Sequence, residues 1–496
     1  MVTIAINPAR SLGTVSGLVF GSFIENLNRC IYGGVFDPAS PTADDDGFRQ
    51  DVLDAARSMG VSNVRFPGGT YSAYYHWRDG VGDSAARPVT LYRSDGEWPS
   101  SNAFGTDEFI TWCRKLDAEP YICVNMGSGS AEEARDWVEY CNAPVGSRWS
   151  DLRAANGHSE PYGVKYWGLG NEISAPWELG YTSTPEEYIE RARNFAVAMK
   201  AADPSIKLTA AGAHFPIDFP RREWNRMVVA SLHEHIDWVS IHHYIGHDYK
   251  DDIMAEWPSM TPDEAHYRLS EWMQLLDDAL DIVGSDITLI NHELNSHKPI
   301  GIAVDEFNPW YKTVGGSDEL TERYSLSDAL LVGSYFSMFI RHADTVTLAN
   351  MAQLVNTLPA IVVESGGSRS YRQGISLVQE LFSASAGHRA IDTWCDSPRN
   401  AGVYFPDFPL LDVSGTLAPD GRTLFVHVTN RSDKEEFPLE FQIVGGVAKI
   451  IDVKGLGDAA LDSANDFTDP NRIRIEDLGV EAIIRPASQV RFTLSI

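Results

Sequence analysis

The 496-residue sequence is poor in cysteine, in positive charge and in long apolar runs. Its five cysteines, Cys30, Cys113, Cys123, Cys141 and Cys395, are odd in number and show no CxxC spacing. That argues against a disulfide framework or a Cys-based zinc site and points to reduced thiols in a cytoplasmic protein. Lys plus Arg total 40 against 69 Asp plus Glu, a formal net charge of −29. Such a field repels nucleic acid and anionic membrane, so neither is expected as a partner. A neutral substrate suits it better than a phosphorylated one. No uninterrupted apolar stretch approaches the ~20 residues of a membrane span. The opening MVTIAINPARSLG lacks the positive region and continuous apolar core of a signal peptide. No GxGxxG follows the first strand-like run, which removes the most readable support for a doubly wound dinucleotide-binding sheet.

What is present is alternation. Short apolar runs read as strands: GLVFGSFIE (17–25), NVRFPGG (63–69), EPYICVNMG (119–127) and KYWGLGNE (165–172). KLTAAGAH (207–214), WVSIHHY (238–244), GIAVDEFN (301–308) and TVTLANMAQLV (345–355) complete the set. Helical stretches lie between them. TPEEYIERARNFAVAMKAAD opens with a Thr184 cap and Pro185 at the first helical position, and TPDEAHYRLSEWMQLLDDAL repeats that start. DDDGFRQDVLDAARSMG begins with acids suited to a helix N-terminus and ends in Gly60. Eight strands alternating with helices predict an α/β fold, a (β/α)8 TIM barrel over residues 16–387. From 388 to 496 the runs are strand-like and separated by turns such as PDG at 419–421, which predicts a C-terminal β-sandwich domain. VTIAIN, within residues 1–15, is expected to pair with that domain.

Two of the strands end in glutamate: Glu172 in GLGNE and Glu306 in VDEFN, 134 residues apart. A strand-end carboxylate stands at a barrel's mouth rather than in its core, and active sites of these barrels lie at that face. A pair of carboxyl groups is the minimal equipment for cleaving a glycosidic bond. Other polar residues fall at equivalent heights: Glu25 closes the first strand, Arg65 lies in the second, and Asn171 precedes Glu172. His242 and Tyr244 end the sixth strand, and Gln353 lies late in the eighth. A buried arginine beside a carboxylate holds it ionised, as a nucleophile requires. His233, His235, His242, His243 and His247 match no HExxH or Cys/His zinc spacing, and strand alternation turns His242 and His243 to opposite faces, so no metal is expected. Trp77, Trp98, Trp167, Trp177 and Trp310 are candidates to wall a sugar site, with core packing the better reading for any single one.

The motifs FGSFIENLNRCIYGG, NVRFPGG, YHWRDGVG, NAFGTDEF, YWGLGNE, APWELG, SIHHY, DEFNPWY and AQLVN, in this order, resemble a family 51 glycoside hydrolase, chiefly the α-L-arabinofuranosidases. The resemblance runs nearly end to end. It implies Glu172 as acid/base and Glu306 as nucleophile, with Glu25, Arg65, Asn171, His242, Tyr244, Trp310 and Gln353 around the sugar. It also implies no cofactor, cytoplasmic action on arabinofuranosyl oligosaccharides, and a homo-oligomer, often a hexamer. The chain departs from the family pattern at Thr70 after PGG, at Asn26 and Asn28, at Phe307, and in the loop 93–104. These changes leave the glutamate pair intact and bear on which sugar hydroxyls are read.

The expected chemistry is retaining exo-hydrolysis by double displacement, with the carboxyl groups about 5–5.5 Å apart rather than the ~6.5–9.5 Å of an inverting pair. The alternatives are a β-xylosidase, β-glucanase or galactofuranosidase specificity, a metal-dependent barrel hydrolase or isomerase, or a non-catalytic sugar-binding barrel.

Overall fold

The computed structural model describes the chain except residues 93–97, 214–218, 247–259, 312–319 and 458, and the side chains of 92, 98 and 219–222. The N-terminal strand β1 spans Val2–Thr14. Eight parallel strands then close into a barrel: β2 (Gly21–Phe23), β3 (Asn63–Phe66), β4 (Glu119–Val124), β5 (Tyr166–Leu169), β6 (Lys207–Ala211), β7 (Trp238–Gly246), β8 (Gly301–Trp310) and β9 (Val346–Met351). The last, β9, hydrogen-bonds back to β2. Each falls on one of the runs expected from sequence. Tyr121 on β4 donates to Asp305 on β8 at 2.7 Å. Those strands are not neighbours in the barrel, so the bond crosses its interior.

Two local expectations differ. Only Gly21–Phe23 of the first run is strand, because Ser16 Oγ accepts the Leu18 N–H and starts a 3-10 turn over Gly17–Phe20. A serine offering a local partner competes with the sheet for backbone groups. The acids Asp44–Asp46 do not open a helix; the chain turns at Gly47, φ 84°, Asp44 pairs with Lys115 at 2.6 Å, and the helix begins at Gln50. The other helix starts form as their caps predict. Thr184 accepts from the Glu187 N–H with Pro185 in the first turn, and Thr261 forms a capping box with Glu264.

The C-terminal strands are β10 (Arg389–Cys395), β11 (Leu411–Leu417), β12 (Thr423–Asn430), β13 (Phe437–Ile443), β14 (Lys449–Leu456) and β15 (Ser488–Ser495). With β1 and two short edge strands they form one nine-stranded sheet, in which β1 lies antiparallel to β10 and parallel to β13. Phe441 on β13 and Phe492 on β15 are five places apart in that order, yet their ring centroids are 5.2 Å apart. The sheet therefore curls over itself into two layers and buries Ile4, Ile6, Val426, Val428 and Leu494 between them.

The helix Leu326–Arg341 lies between barrel and sheet and is buried from Leu326 to Ile340. Gly333 allows that approach, since a Cβ there would meet Gln489 and Thr429 of the sheet. Arg341 binds Asp412 at 2.6 Å and Asp277 at 3.0 Å, and Arg431 binds Asp412 at 2.6 Å. Among the described residues no helix is long and apolar enough to cross a membrane.

Candidate active site

The strand ends of the barrel converge on a buried, charged rim. Past β5 the chain leaves the sheet by two left-handed residues, Gly170 at φ 78° and Glu172 at φ 41°. A side chain in that conformation costs of order 1–3 kcal/mol, which the surrounding structure must supply. On β8 the pairing with β7 shifts between Ala303 and Glu306, and the pairing with β9 shifts between Val304 and Phe307. This bulge breaks the two-residue alternation. Asp305 and Glu306 consequently face the same arginine, Arg65, at 3.5 Å from Nε and 2.5 Å from Nη1. The glycines of PGG serve the same convergence. A Cβ on Gly68 would lie 2.8 Å from Glu25 Oε1, and one on Gly69 would lie 3.0 Å from Glu306 Oε1.

Glu306 is held on both oxygens. Arg65 donates to Oε1, and the Tyr244 hydroxyl donates to Oε2 at 2.7 Å. Arg65 Nη2 also donates to Asn171 Oδ1 at 2.8 Å, which fixes that amide with its Nδ2 toward Glu178, 3.2 Å away. The His242 ring bridges three acids: Nδ1 is 2.9 Å from Glu172 Oε1 and 3.6 Å from Glu306 Oε2, and Nε2 is 3.3 Å from Asp305. An oxygen of Glu172, a ring nitrogen of His242 and an oxygen of Glu306 lie within 4.8 Å of one another. Both Glu306 oxygens accept from protein donors, and the trio lies within one hydrogen-bonded array.

The charges follow from burial and neighbours. Burial works against a charged His242, but the charge of Glu306 and the bonds to Asp305 and Glu172 outweigh it, and its pKa lies well above the usual value. Burial alone would raise Asp305, yet Arg65 and His242 hold it down at about 2. Glu25 behaves oppositely. Burial, with Glu306 adding repulsion, pushes it up to about 8 despite bonds from the Tyr71 N–H and from Gln353 Nε2, each at 2.9 Å. A site with ionised and neutral carboxyl groups side by side is equipped for acid and base roles near neutrality.

All nine residues singled out from sequence lie in this region. Trp310 packs edge-on against Tyr244 with centroids 5.4 Å apart. Trp177 is exposed, its indole N–H 3.4 Å from Glu172 Oε2. Trp77 and Trp167 are buried in the core and bond backbone carbonyls; the Trp98 side chain lies outside the described residues. His243 turns away from His242 to Tyr335, and His233 bonds Asn291, both remote from the array; His247 lies outside the described residues. Phe307 packs on Tyr335 and Phe339, on the helix side of the barrel wall.

Sequence reasoning did not single out Asp305 or Glu178. Asp305 sits beside Glu306 on a strand, where alternation would turn it outward. Glu178 lies in the loop after β5, and its Oε1 accepts from Thr70 at 2.6 Å. Thr70, after PGG, was the one visible signal of that pairing.

A parallel barrel whose rim brings an oxygen of each of two glutamates within 4.8 Å of the other has the architecture of a glycoside hydrolase. Residues 55–261 match the model of the alpha-L-arabinofuranosidase 1 domain, and residues 305–495 match that of the alpha-L-arabinofuranosidase C-terminal domain. An intracellular exo-alpha-(1->5)-L-arabinofuranosidase of Bacillus subtilis (strain 168) is 34% identical over 436 residues, 86% of this chain and 83% of the relative. A family 51 alpha-L-arabinofuranosidase from Bifidobacterium longum superposes with a TM-score of 0.89 at 28% identity, over 99% of each chain. An arabinose complex of the alpha-L-arabinofuranosidase from Thermotoga maritima gives a TM-score of 0.83 at 32% identity, over 100% of each chain. The chain belongs to the α-L-arabinofuranosidases of glycoside hydrolase family 51.

Proposed function

We propose that this protein releases terminal α-L-arabinofuranosyl residues from arabinose-containing oligosaccharides, in exo fashion and with retention of configuration. The observation that carries the reading is the placing of Glu172 and Glu306, each with an oxygen within 4.8 Å of the other and of His242. An inverting pair stands ~6.5–9.5 Å apart to admit a water between, so oxygens approaching within 4.8 Å support the closer spacing of a retaining pair.

In the first step a Glu306 oxygen bonds to the anomeric carbon as the bond to the leaving oxygen breaks, and Glu172 gives its proton to that oxygen. Arg65 and Tyr244 hold Glu306 in its attacking orientation. In the second step water attacks the same carbon, its proton passes to Glu172, and the ester bond to Glu306 breaks. The Glu172–His242 hydrogen bond lets the ring hold the shared proton whenever Glu172 is ionised. Glu25, Asn171, Gln353 and Trp310 line the sugar, with Glu25 as the neutral acid able to donate to a hydroxyl.

Residues 16–387 form the catalytic unit in this reading, and residues 388–496 with 1–15 form its companion. The named intracellular relative supports action inside the cell, and family membership supports a homo-oligomer, a hexamer. Light scattering on the purified protein tests the assembly. The activity itself is tested with a panel of nitrophenyl glycosides and the products of methanolysis. α-L-arabinofuranoside is the expected substrate and methyl α-L-arabinofuranoside the expected product; a β product or a preference for xylosides overturns the reading.

A further inference from the structure

Asn171 carries an amide that its neighbours fix at both ends. Arg65 Nη2 can only donate, so its 2.8 Å bond identifies and holds the oxygen end, Oδ1. The nitrogen end, Nδ2, gives one hydrogen to Glu178 Oε1 at 3.2 Å. Among the described residues its second hydrogen meets no acceptor. Arg65 alone would leave the amide plane able to swing about that one bond, and the tie to Glu178 stops it. Glu178 is held in turn. Its Oε1 also accepts from the Thr70 hydroxyl at 2.6 Å. Its N–H donates to the Ala175 carbonyl at 3.1 Å, and the Ala175 N–H donates to the Glu172 carbonyl at 2.7 Å.

The fixed nitrogen lies close to Glu306. A Cβ on Gly69 would stand 3.0 Å from Glu306 Oε1 and 3.6 Å from Asn171 Nδ2, so both atoms border the space that this glycine leaves open. With Glu306 bonded to the anomeric carbon, the hydroxyl on the next carbon is the sugar group nearest to hand for Nδ2. Hydrogen bonds to that 2-hydroxyl strengthen as a glycosidic bond breaks. The clamp needs no charge on Glu178. Burial first, and the charge of Glu172 second, raise its pKa to about 8, so at neutral pH it is an uncharged acid. Its Oε2 has no hydrogen-bond partner among the described residues and carries the proton, which leaves Oε1 as a carbonyl acceptor for both donors.

We propose that Glu178, steadied by Thr70, is a positioning residue for Asn171: it orients the amide so that the second Nδ2 hydrogen donates to the 2-hydroxyl of the bound sugar. This rests on the hydrolase reading above and names the hydroxyl that the site reads beside Glu306.

The test pairs a nitrophenyl α-L-arabinofuranoside and its 2-deoxy analogue with the wild type, E178Q, E178M and T70V. The readout is the factor by which loss of the 2-hydroxyl lowers kcat/KM. In the wild type it should be about 100 or more and should lie in kcat, as for a contact made in the transition state. E178M, close to glutamate in length but without the acceptor, should shrink it to about tenfold. E178Q keeps the acceptor and should keep the factor, and T70V should fall between. A wild type without such a factor overturns the inference, as does an E178M that slows both substrates alike, the mark of a brace. Loss of the factor in E178Q as well as E178M also overturns it. Thermal unfolding shows which variants fold; should E178M not fold, an unchanged factor in T70V overturns the inference. Each of these outcomes leaves the hydrolase reading standing, whereas a wild type inert toward the parent arabinofuranoside overturns that reading itself.

Discussion

Arg65 Nη1 stands 2.5 Å from Glu306 Oε1, with both side chains almost wholly out of water. The same guanidinium reaches Asp305 and Asn171, so one planar fork orders Glu306, its neighbour and the amide beside Glu172. Lysine cannot reproduce that fork.

Arg65→Lys should therefore keep the fold and lower kcat/KM by about 100-fold, with Asn171 losing its partner. Arg65→Ala leaves Asp305 and Glu306 buried without their counter-charge and should destabilise the protein by about 3–5 kcal/mol. Urea unfolding and steady-state kinetics on the two variants separate these effects.

Removal of either glutamate should leave a distinct chemical trace. Glu306→Ala should lose turnover on every substrate, with azide giving a glycosyl azide of inverted configuration. Glu172→Ala should still form the ester from an aryl glycoside and accumulate it, with azide restoring turnover and giving the retained product. NMR assignment of the azide anomer decides; full activity in either variant refutes the assignment.

Glu25 carries a stability cost with a defined pH window. The group ionises near 4.5 in the unfolded chain and near 8 in the folded one, so folding takes up a proton between those values. Its contribution therefore falls as pH rises from about 4.5 to about 8 and is level beyond. Glu25→Gln should stabilise the protein at pH 7 by about 1–3 kcal/mol and have little effect at pH 4. Gln353 Oε1, which has no hydrogen-bond partner among the described residues, can accept from the new amide after a flip. Asp305 runs the other way: held at about 2 in the fold, it stabilises above about pH 4 and loses that contribution as pH falls toward 2. Denaturant midpoints from pH 3 to 9 measure both.

Trp177 presents an exposed indole 3.4 Å from an oxygen of Glu172, the group proposed to protonate the leaving oxygen. Trp177→Ala should raise KM for an arabino-oligosaccharide by about tenfold and leave that of an aryl glycoside less affected. Equal effects on both would place the indole outside the leaving-group path.

The barrel was legible because each of its strands is a short apolar run bounded by turns, and each long helix advertises its cap, as Thr184 and Thr261 do. His242 and His243 were legible for the same reason, since an unbroken strand alternates its faces. Asp305 was not. The bulge before Glu306 depends on how β8 meets its two neighbours, and no local pattern announces that. Ser16 diverted part of the first run into a 3-10 turn by a single side-chain bond. Glu178 escaped because its significance lies in what surrounds it: a glutamate in a loop is ordinarily solvated, and only the folded packing of Thr70 and Asn171 encloses it.

The first strand of the chain has consequences for how the molecule is made. Ile4 and Ile6 leave the ribosome long before the strands that pair with theirs, around residues 391–395 and 439–443. While the segments between them are made, an apolar strand must wait with both edges unpaired, whereas the barrel has all its own strands to hand and can close without it. Such a waiting strand is the natural point of capture by a chaperone or by another nascent copy, and expression yield should respond to its edge residues more sharply than catalysis does.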